Sequence, residues 1–295
     1  PNCPPVRLHA RGLTGGTARV AGNISSQYLS GLMMAAPLAQ SPVRLEVEGE
    51  LVSVPYVAMT ARIMSAFSAQ VAGPASGPIL IEPTGYRATD FAIEPDASAA
   101  SYFWAAAAIT GGDVTVAGLS ETSLQGDVRF CQVLAEMGCE LHTCAKSLRI
   151  VGGGPRGGGC LRGVDVDMAD ISDTVQTLSA VALFAEGPTR VRGVAHNRHK
   201  ETDRIADLAH ELRKFGAHVE EHFDGLTIDP PPQAGGGPVT VETYNDHRMA
   251  MSLALVGLRR AGVTILNPAC TAKTYPQFWK DLAKITQARL EEIES

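Results

Sequence analysis

The sequence predicts an α/β protein built by repeating one unit of strands and helices. Two observations carry that expectation. A short polar cluster opens an apolar helical pattern four times, at Asn23, Asp96, Ile171 and Asn245, with steps of 73, 75 and 74 residues. So constant a period marks an internal repeat. Each helical pattern then closes into a small turn and a β-branched run (VRLEV, VTVAG, TRVRG and VTILN), which reads as a strand.

The remaining elements follow in order within each copy. A second helical pattern covers residues 51–67, 124–137, 201–215 and 276–285. In the third of these, Ile205, Leu208, Ala209, Leu212 and Phe215 form an amphipathic stripe. Arg213 and Lys214 lie in its last turn, where cations suit the helix dipole, and Gly216 is placed to end it. Three of the second helices lead into paired strands: ILIEP with the region near Phe91, ELHTC with SLRIV, and HVEEH with GLTID. One copy therefore reads βαβαββ, and the fourth stops after its second helix. Gly/Pro-rich stretches at 73–78, 152–159 and 230–238 are expected as surface loops. The run GGGPRGGG lacks the GK[ST] ending and the strand–loop–helix setting of a phosphate loop. The acidic-proline segment before Asp96 is expected to divide two lobes, residues 1–95 and 96–295.

Composition narrows the function classes. The chain has 295 residues, 45% hydrophobic and 19% charged, an ordinary globular balance. A net charge of −6 argues against non-specific nucleic-acid binding. The longest apolar stretch, near residues 29–39, is interrupted by Gly31 and Pro37 and is too short to span a bilayer. Six cysteines form no CxxC and fit no zinc framework, so reduced thiols in a cytoplasmic compartment are expected. Cys270 lies nearest to polar chemistry. His218 and His222 fall in an alternating hairpin segment, so no metal site is expected there. A start at Pro1 rather than Met reads as processing or truncation.

Five polar clusters carry the chemistry. Ser25, Ser26 and Gln27 open the first helix, with Ser53 and Tyr56 at the next helix start. They read either as simple caps or as a phosphate grip of hydroxyls and helix N–H groups. Asp173 reads as a first-turn carboxylate or, with a substrate hydroxyl in reach, as a general base. Asn197, Arg198, Lys200, Glu201, Asp203 and Arg204 crowd within eight residues. Lys200 and Arg204, four apart, are expected on one helix face. Cations at a helix start oppose its dipole by roughly 0.3–1 kcal/mol each, a cost that a bound anion reverses. Arg248, beside Asp246 and His247, is misplaced in the same way, and Lys273 precedes the last helix. Four cations so placed point to a substrate with two or more negative groups.

In order along the chain, GNISSQYL, LVSVPY, LQGDV, NRHKETDR, TYNDHRMAM and CTAKTYP resemble the enolpyruvyl transferase family, in its shikimate branch. The resemblance implies two lobes of βαβαββ units with the site between them. It implies transfer of the enolpyruvyl group of phosphoenolpyruvate to the 5-hydroxyl of shikimate 3-phosphate, with release of phosphate and with no metal or organic cofactor. This is a step of aromatic amino-acid biosynthesis in the cytoplasm, and the target of glyphosate. Carried over by motif, Ser25, Ser26 and Ser53 bind the shikimate phosphate, and Gln27, Tyr56, Asn197 and Lys200 help hold that substrate. Asp173 accepts the hydroxyl proton, and Glu201 and Lys200 are the proton-transfer candidates for the methylene. Gln27, Arg204, His247, Arg248 and Lys273 are assigned to phosphoenolpyruvate.

The sequence departs from the family pattern in three places. A Lys-Ser…Arg segment, an Asn-Ala-Gly-Thr-Ala loop and an ERPI segment are not found, so the first lobe is expected to be incomplete and the chain inactive without that amino-terminal part. Otherwise it is expected as a monomer with small-molecule substrates only. Val54 stands where some members have Lys, and Ala100 where DASSAS is common. The alternatives are a silent fragment that only binds shikimate 3-phosphate, or a transferase acting on a nucleotide sugar.

Overall fold

The computed structural model describes residues 5–7, 9–74, 77–153, 160–232 and 236–292. Cys3 and most of GGGPRGGG lie outside the described residues. The fold is mixed α/β, and the chain divides into two compact units, residues 1–92 and 93–295.

The first unit is one complete copy of the repeat. Its elements run β1 (Gly16–Ala21), α1 (Ser26–Ala35), β2 (Val43–Glu48), α2 (Val54–Ala66), β3 (Val71–Ala72) and β4 (Ile79–Ile81). The sheet order is β1-β2-β4-β3, with β1 and β2 parallel and the other pairs antiparallel. Alternation drives Leu45, Ile79 and Ile81 inward against Leu29, Met33, Val57 and Met64 of the helices. ILIEP thus pairs with Val71–Ala72 and not with the region near Phe91. The short strand just after α2 is the hairpin partner, while Phe91 instead stacks on Phe67 at 5.7 Å.

The second unit holds three further copies. The second copy runs α3 (Ala97–Thr110), β5 (Asp113–Ala117), α4 (Phe130–Glu136), β6 (Glu140–Cys144) and β7 (Ser147–Val151), with sheet order β5-β7-β6. The third is complete: β8 (Asp165–Asp167), α5 (Val175–Ala182), β9 (Thr189–Arg192), α6 (Ala206–Lys214), β10 (His218–His222) and β11 (Gly225–Asp229). Its order β10-β11-β9-β8 repeats the first sheet, and β8 and β9 are parallel. The fourth is β12 (Val239–Val241), α7 (His247–Ala254), β13 (Val263–Ile265) and α8 (Phe278–Thr286), with β12 and β13 parallel. The hairpins β6–β7 and β10–β11 form as the alternation predicts.

Three first helices, α3, α5 and α7, build the centre of this unit. Residues 100–109 of α3 and all of α5 are buried. Helices buried on every side need small or apolar residues all round, and Ala105–Ala108 supply them. Across the helices, Ser101 Oγ lies 3.2 Å from Thr177 Oγ1, which lies 3.2 Å from Ser252 Oγ. These positions are 76 and 75 residues apart, one repeat step each. At the edge of α3 the end of β7 approaches so closely that a Cβ on Gly152 would sit 2.1 Å from the Ala107 carbonyl oxygen. No described helix is long and apolar enough to cross a membrane.

Candidate active site

In a parallel pair followed by helices, each helix begins at the carboxyl end of its strand, where ligands of open α/β sheets bind. Every predicted site residue lies on such a segment. In the first unit, Ser25 caps α1 and its hydroxyl accepts from the Gln27 N–H at 3.3 Å. Ser26 is buried and Gln27 exposed. Ser53 precedes α2 in the left-handed region, with φ 53°, and its carbonyl accepts the Tyr56 N–H at 3.1 Å. Thr60 donates to Ser30 at 3.0 Å, and the Val52 N–H donates to the Gly22 carbonyl at 3.1 Å. The first bond ties the two helix bodies together, and the second holds the chain entering α2 against the segment that leaves β1.

In the second unit, four segments meet. They follow β8 (Asp173), β9 (Asn197 to Arg204), β12 (Asp246 to Arg248) and β13 (Lys273). Arg248 Nη2 donates to Asp173 Oδ2 at 2.7 Å, and its Nη1 donates to the Asp173 carbonyl at 3.2 Å. Arg204 Nη1 is 3.4 Å and Lys200 Nζ 3.9 Å from Asp173 Oδ1. Arg204 also grips Asp246 at 2.6 and 3.2 Å and Glu201 at 2.7 Å. Lys273 pairs with the other oxygen of Glu201. Four cations thus share three carboxylates, a surplus of positive charge in a largely buried place. Arg204 is 2% exposed and Asp246 0%. Removing one member of a buried pair costs far more than the pair contributes.

The electrostatics follow from these contacts. Burial opposes the charged form of Asp173, but Arg248, Lys200 and Arg204 outweigh it and hold its carboxyl well below the usual carboxylate range. Burial likewise opposes ionisation of Glu201, and Arg204 and Lys273 override it, bringing the group down to about 2. His247, pushed down to about 4 by burial and then by Arg248, is neutral near pH 7. His196 is also brought down to about 4, by burial and then Lys200.

Two sequence expectations change here. Lys200 and Arg204 do not share a helix face. The backbone at Lys200 is non-helical, with ψ −145°, and α6 begins only at Ala206. Asp203 sets that start, since its carboxylate accepts from the N–H groups of Ile205 and Ala206 at 3.1 and 3.0 Å. Asp173 is not in the first turn of an α-helix either, because residues 169–174 form a 3-10 segment broken at Ile171. Asn197 is fully buried, and its amide donates to the Ser172 carbonyl at 3.1 Å, so it holds the Asp173 segment from behind.

Sequence reasoning missed two groups. The Tyr102 hydroxyl, buried on α3, lies 3.5 Å from Arg248 Nη1, and burial raises it to about 12. Its partner is 146 residues away, so nothing local announces it. His196 lies within the field of Lys200, Asp173 and Arg204, and its neighbour Asn197 drew attention instead. A groove of about 450 Å³ lined by Arg129, Gln132, Asp167 and Asp170 carries none of the predicted site residues. Convergent charge, not concavity, marks the candidate site.

Comparisons place these features in a family. A profile of the EPSP synthase (3-phosphoshikimate 1-carboxyvinyltransferase) family matches residues 1–282. The chloroplastic 3-phosphoshikimate 1-carboxyvinyltransferase of Brassica napus is 46% identical over 292 residues, covering 97% of this chain and 56% of the relative. The protein of that name from Nostoc sp. (strain PCC 7120 / SAG 25.82 / UTEX 2576) is 44% identical over 282 residues, covering 95% and 64%. Among solved structures, EPSP synthase from Acinetobacter baumannii superposes with a TM-score of 0.72 at 25% identity, covering 93% of this chain and 63% of that one. The enolpyruvyl transferase NikO from Streptomyces tendae shares the fold, with a TM-score of 0.70 at 19% identity. The chain spans less than two thirds of the length of these relatives. On the match of nearly its whole length, the chain belongs to the EPSP synthase (3-phosphoshikimate 1-carboxyvinyltransferase) family.

Proposed function

We propose that this chain supplies most of the active site of an enzyme transferring the enolpyruvyl group of phosphoenolpyruvate to the 5-hydroxyl of shikimate 3-phosphate. The observation that carries the reading is the meeting of Lys200, Arg204, Arg248 and Lys273 around Asp173 and Glu201, on four segments leaving the carboxyl ends of parallel strands. Two anionic substrates repel each other, and bringing them together needs a cationic surplus fixed in advance. Ser25, Ser26, Gln27, Ser53 and Tyr56 are assigned to shikimate 3-phosphate, with Asn197 and Lys200. Gln27, Arg204, His247, Arg248 and Lys273 are assigned to phosphoenolpyruvate.

The chemistry divides into addition and elimination. Asp173 takes the 5-hydroxyl proton as that oxygen bonds to the central carbon of phosphoenolpyruvate, and the methylene carbon gains a proton. Loss of a methyl proton and of phosphate then restores the double bond. A carboxylate held by three cations is a weak base. An anionic substrate competes for Arg248 and Arg204, loosens their hold and strengthens Asp173 where the base is needed. Glu201, brought down to about 2 by its cations against the effect of burial, has no proton to give near neutral pH in this arrangement. The first methylene proton is therefore assigned to the Lys200 ammonium, with Glu201 acting once Lys273 and Arg204 turn to the substrate. Free thiols at Cys131, Cys139, Cys144, Cys160 and Cys270 go with a reducing, cytoplasm-like compartment.

The test is phosphate release from the two substrates, with the chain alone and with a polypeptide supplying the remainder of a full-length relative. Release in either tube supports the reading. Silence in both, with the pieces shown to be folded and associated, overturns it. In the active preparation, Asp173→Asn is expected to lower kcat by about 10²–10⁴-fold with a smaller change in KM. A raised KM at unchanged kcat removes the general-base role.

A further inference from the structure

We propose that Asn267 is a positioning residue for this reaction, its side chain tying the segment that carries Lys273 to the segment that carries Arg248. The proposal rests on the functional reading above. Asn267 Nδ2 donates to Asn245 Oδ1 at 3.1 Å. Asn267 stands at the exit of β13, six residues before Lys273, and Asn245 at the exit of β12, three before Arg248. Both residues are in the left-handed region, at φ 48° and 57°, where asparagine is among the few side chains tolerated. Tyr244, just before, shares that region at φ 52°. The bond continues the β12–β13 ladder past its last pair, beyond the Leu266 N–H donating to the Val241 carbonyl at 3.0 Å.

The neighbouring copies hold the same position in another way. The corresponding exits are Gly118 after β5 and Gly193 after β9, also left-handed, at φ 85° and 78°. Each is anchored by the hairpin that closes its own copy. The Gly118 N–H donates to the Lys146 carbonyl between β6 and β7 at 2.8 Å. The Gly193 N–H donates to the Asp224 carboxylate between β10 and β11 at 3.1 Å, and the Val194 N–H to the Asp224 carbonyl at 2.9 Å. Among the described residues, no hairpin follows α8 in the fourth copy. Glycine is the less strained occupant of such a position. Asparagine accepts the strain and adds a side-chain bond that glycine cannot make. What it fixes is the spacing of Arg248 and Lys273, the two cations assigned to phosphoenolpyruvate from different strands.

The test compares Asn267→Gly and Asn267→Asp in whichever preparation releases phosphate. Glycine keeps the left-handed backbone and removes the tie. Aspartate tolerates the same backbone and accepts from the Asn245 amide once that amide is turned over. The expected result is a KM for phosphoenolpyruvate raised about fivefold by Asn267→Gly, the loss of one hydrogen bond. The KM for shikimate 3-phosphate should stay within about twofold, and Asn267→Asp should restore the parent value. An unchanged KM for phosphoenolpyruvate, or a loss equal in both variants, overturns the tie. A parent that releases no phosphate, with its pieces shown to be folded and associated, overturns the functional reading, and this proposal with it, before any variant is made.

Discussion

The same helix of the repeat has two fates in this chain. In residues 93–295, α3 is enclosed by its own sheet and by α5, and Trp104 is 0% exposed. In residues 1–92, α1 has α2 and a sheet on one side, while Tyr28, Leu32 and Met34 are 63%, 44% and 53% exposed. Both helices are capped by a side chain at the start, by Ser25 and Asp96. The caps are alike, but the helix bodies differ: α3 carries small and apolar residues on every side, whereas α1 is buried only at Ser26, Leu29 and Met33. A repeat buries its helix fully only when neighbouring copies close over it. A lone copy leaves an apolar face of the kind that marks a contact surface.

Single changes sharpen the contrast. Trp104→Ala is expected to cost about 3–5 kcal/mol, read by denaturant unfolding of residues 93–295. A cost below about 1 kcal/mol would mean that α3 is not the keystone its burial indicates. Arg204→Met leaves the buried Asp246 without its main partner and is expected to cost about 3–5 kcal/mol. A neutral result would show that Asp246 finds another donor. Thr177→Val removes the middle of the hydroxyl row at an expected cost of about 1–2 kcal/mol. Tyr28→Ala, at the exposed end of the comparison, is expected within about ±0.5 kcal/mol. A loss comparable to that of Trp104→Ala would erase the distinction between the two helices.

Acid bears on the second unit through three of its side chains. Glu201 titrates in the folded protein near 2 against an ordinary 4.5, so it stabilises fully above about pH 4.5 and loses that contribution as pH falls toward 2. His196 and His247 titrate near 4 against 6.5, so the unfolded chain takes up protons first, and stability falls as pH drops from about 6.5 toward 4. All three lie in residues 93–295. Unfolding measured between pH 7 and pH 3 should therefore weaken that unit progressively, and His196→Gln should flatten the upper part of the slope. A slope unchanged in the variant would remove His196 from the account.

Much of this was legible in sequence, because the repeat writes itself locally. Asp96 and Asp246 cap helices where the polar clusters suggested, and alternation gave both hairpins of the second unit. The misreadings arose where tertiary contacts govern the backbone. Residues 201–205 read as helix from the sequence, but Lys200 and Arg204 are drawn out of helical geometry toward the single carboxylate of Asp173, 27 and 31 positions back in the chain. The Asp203 cap is the local sign of the later start. The apolar pattern of ILIEP points to the chain after it, but its partner, Val71–Ala72, comes before. The motifs named the site's members, yet only folding could show that three carboxylates already occupy the cations.

The row Ser101–Thr177–Ser252 has a mechanical consequence. Apolar flanks of neighbouring helices are tolerant of sliding, and a slip of one turn, about 5.4 Å, trades one set of methyl groups for another. Two hydroxyl contacts of 3.2 Å do not tolerate it. The row therefore acts as a detent, locking α3, α5 and α7 against axial creep. Because α5 and α7 begin beside Asp173 and Arg248, that lock transmits the alignment of the helix bodies to the distance between a base and the cation that restrains it.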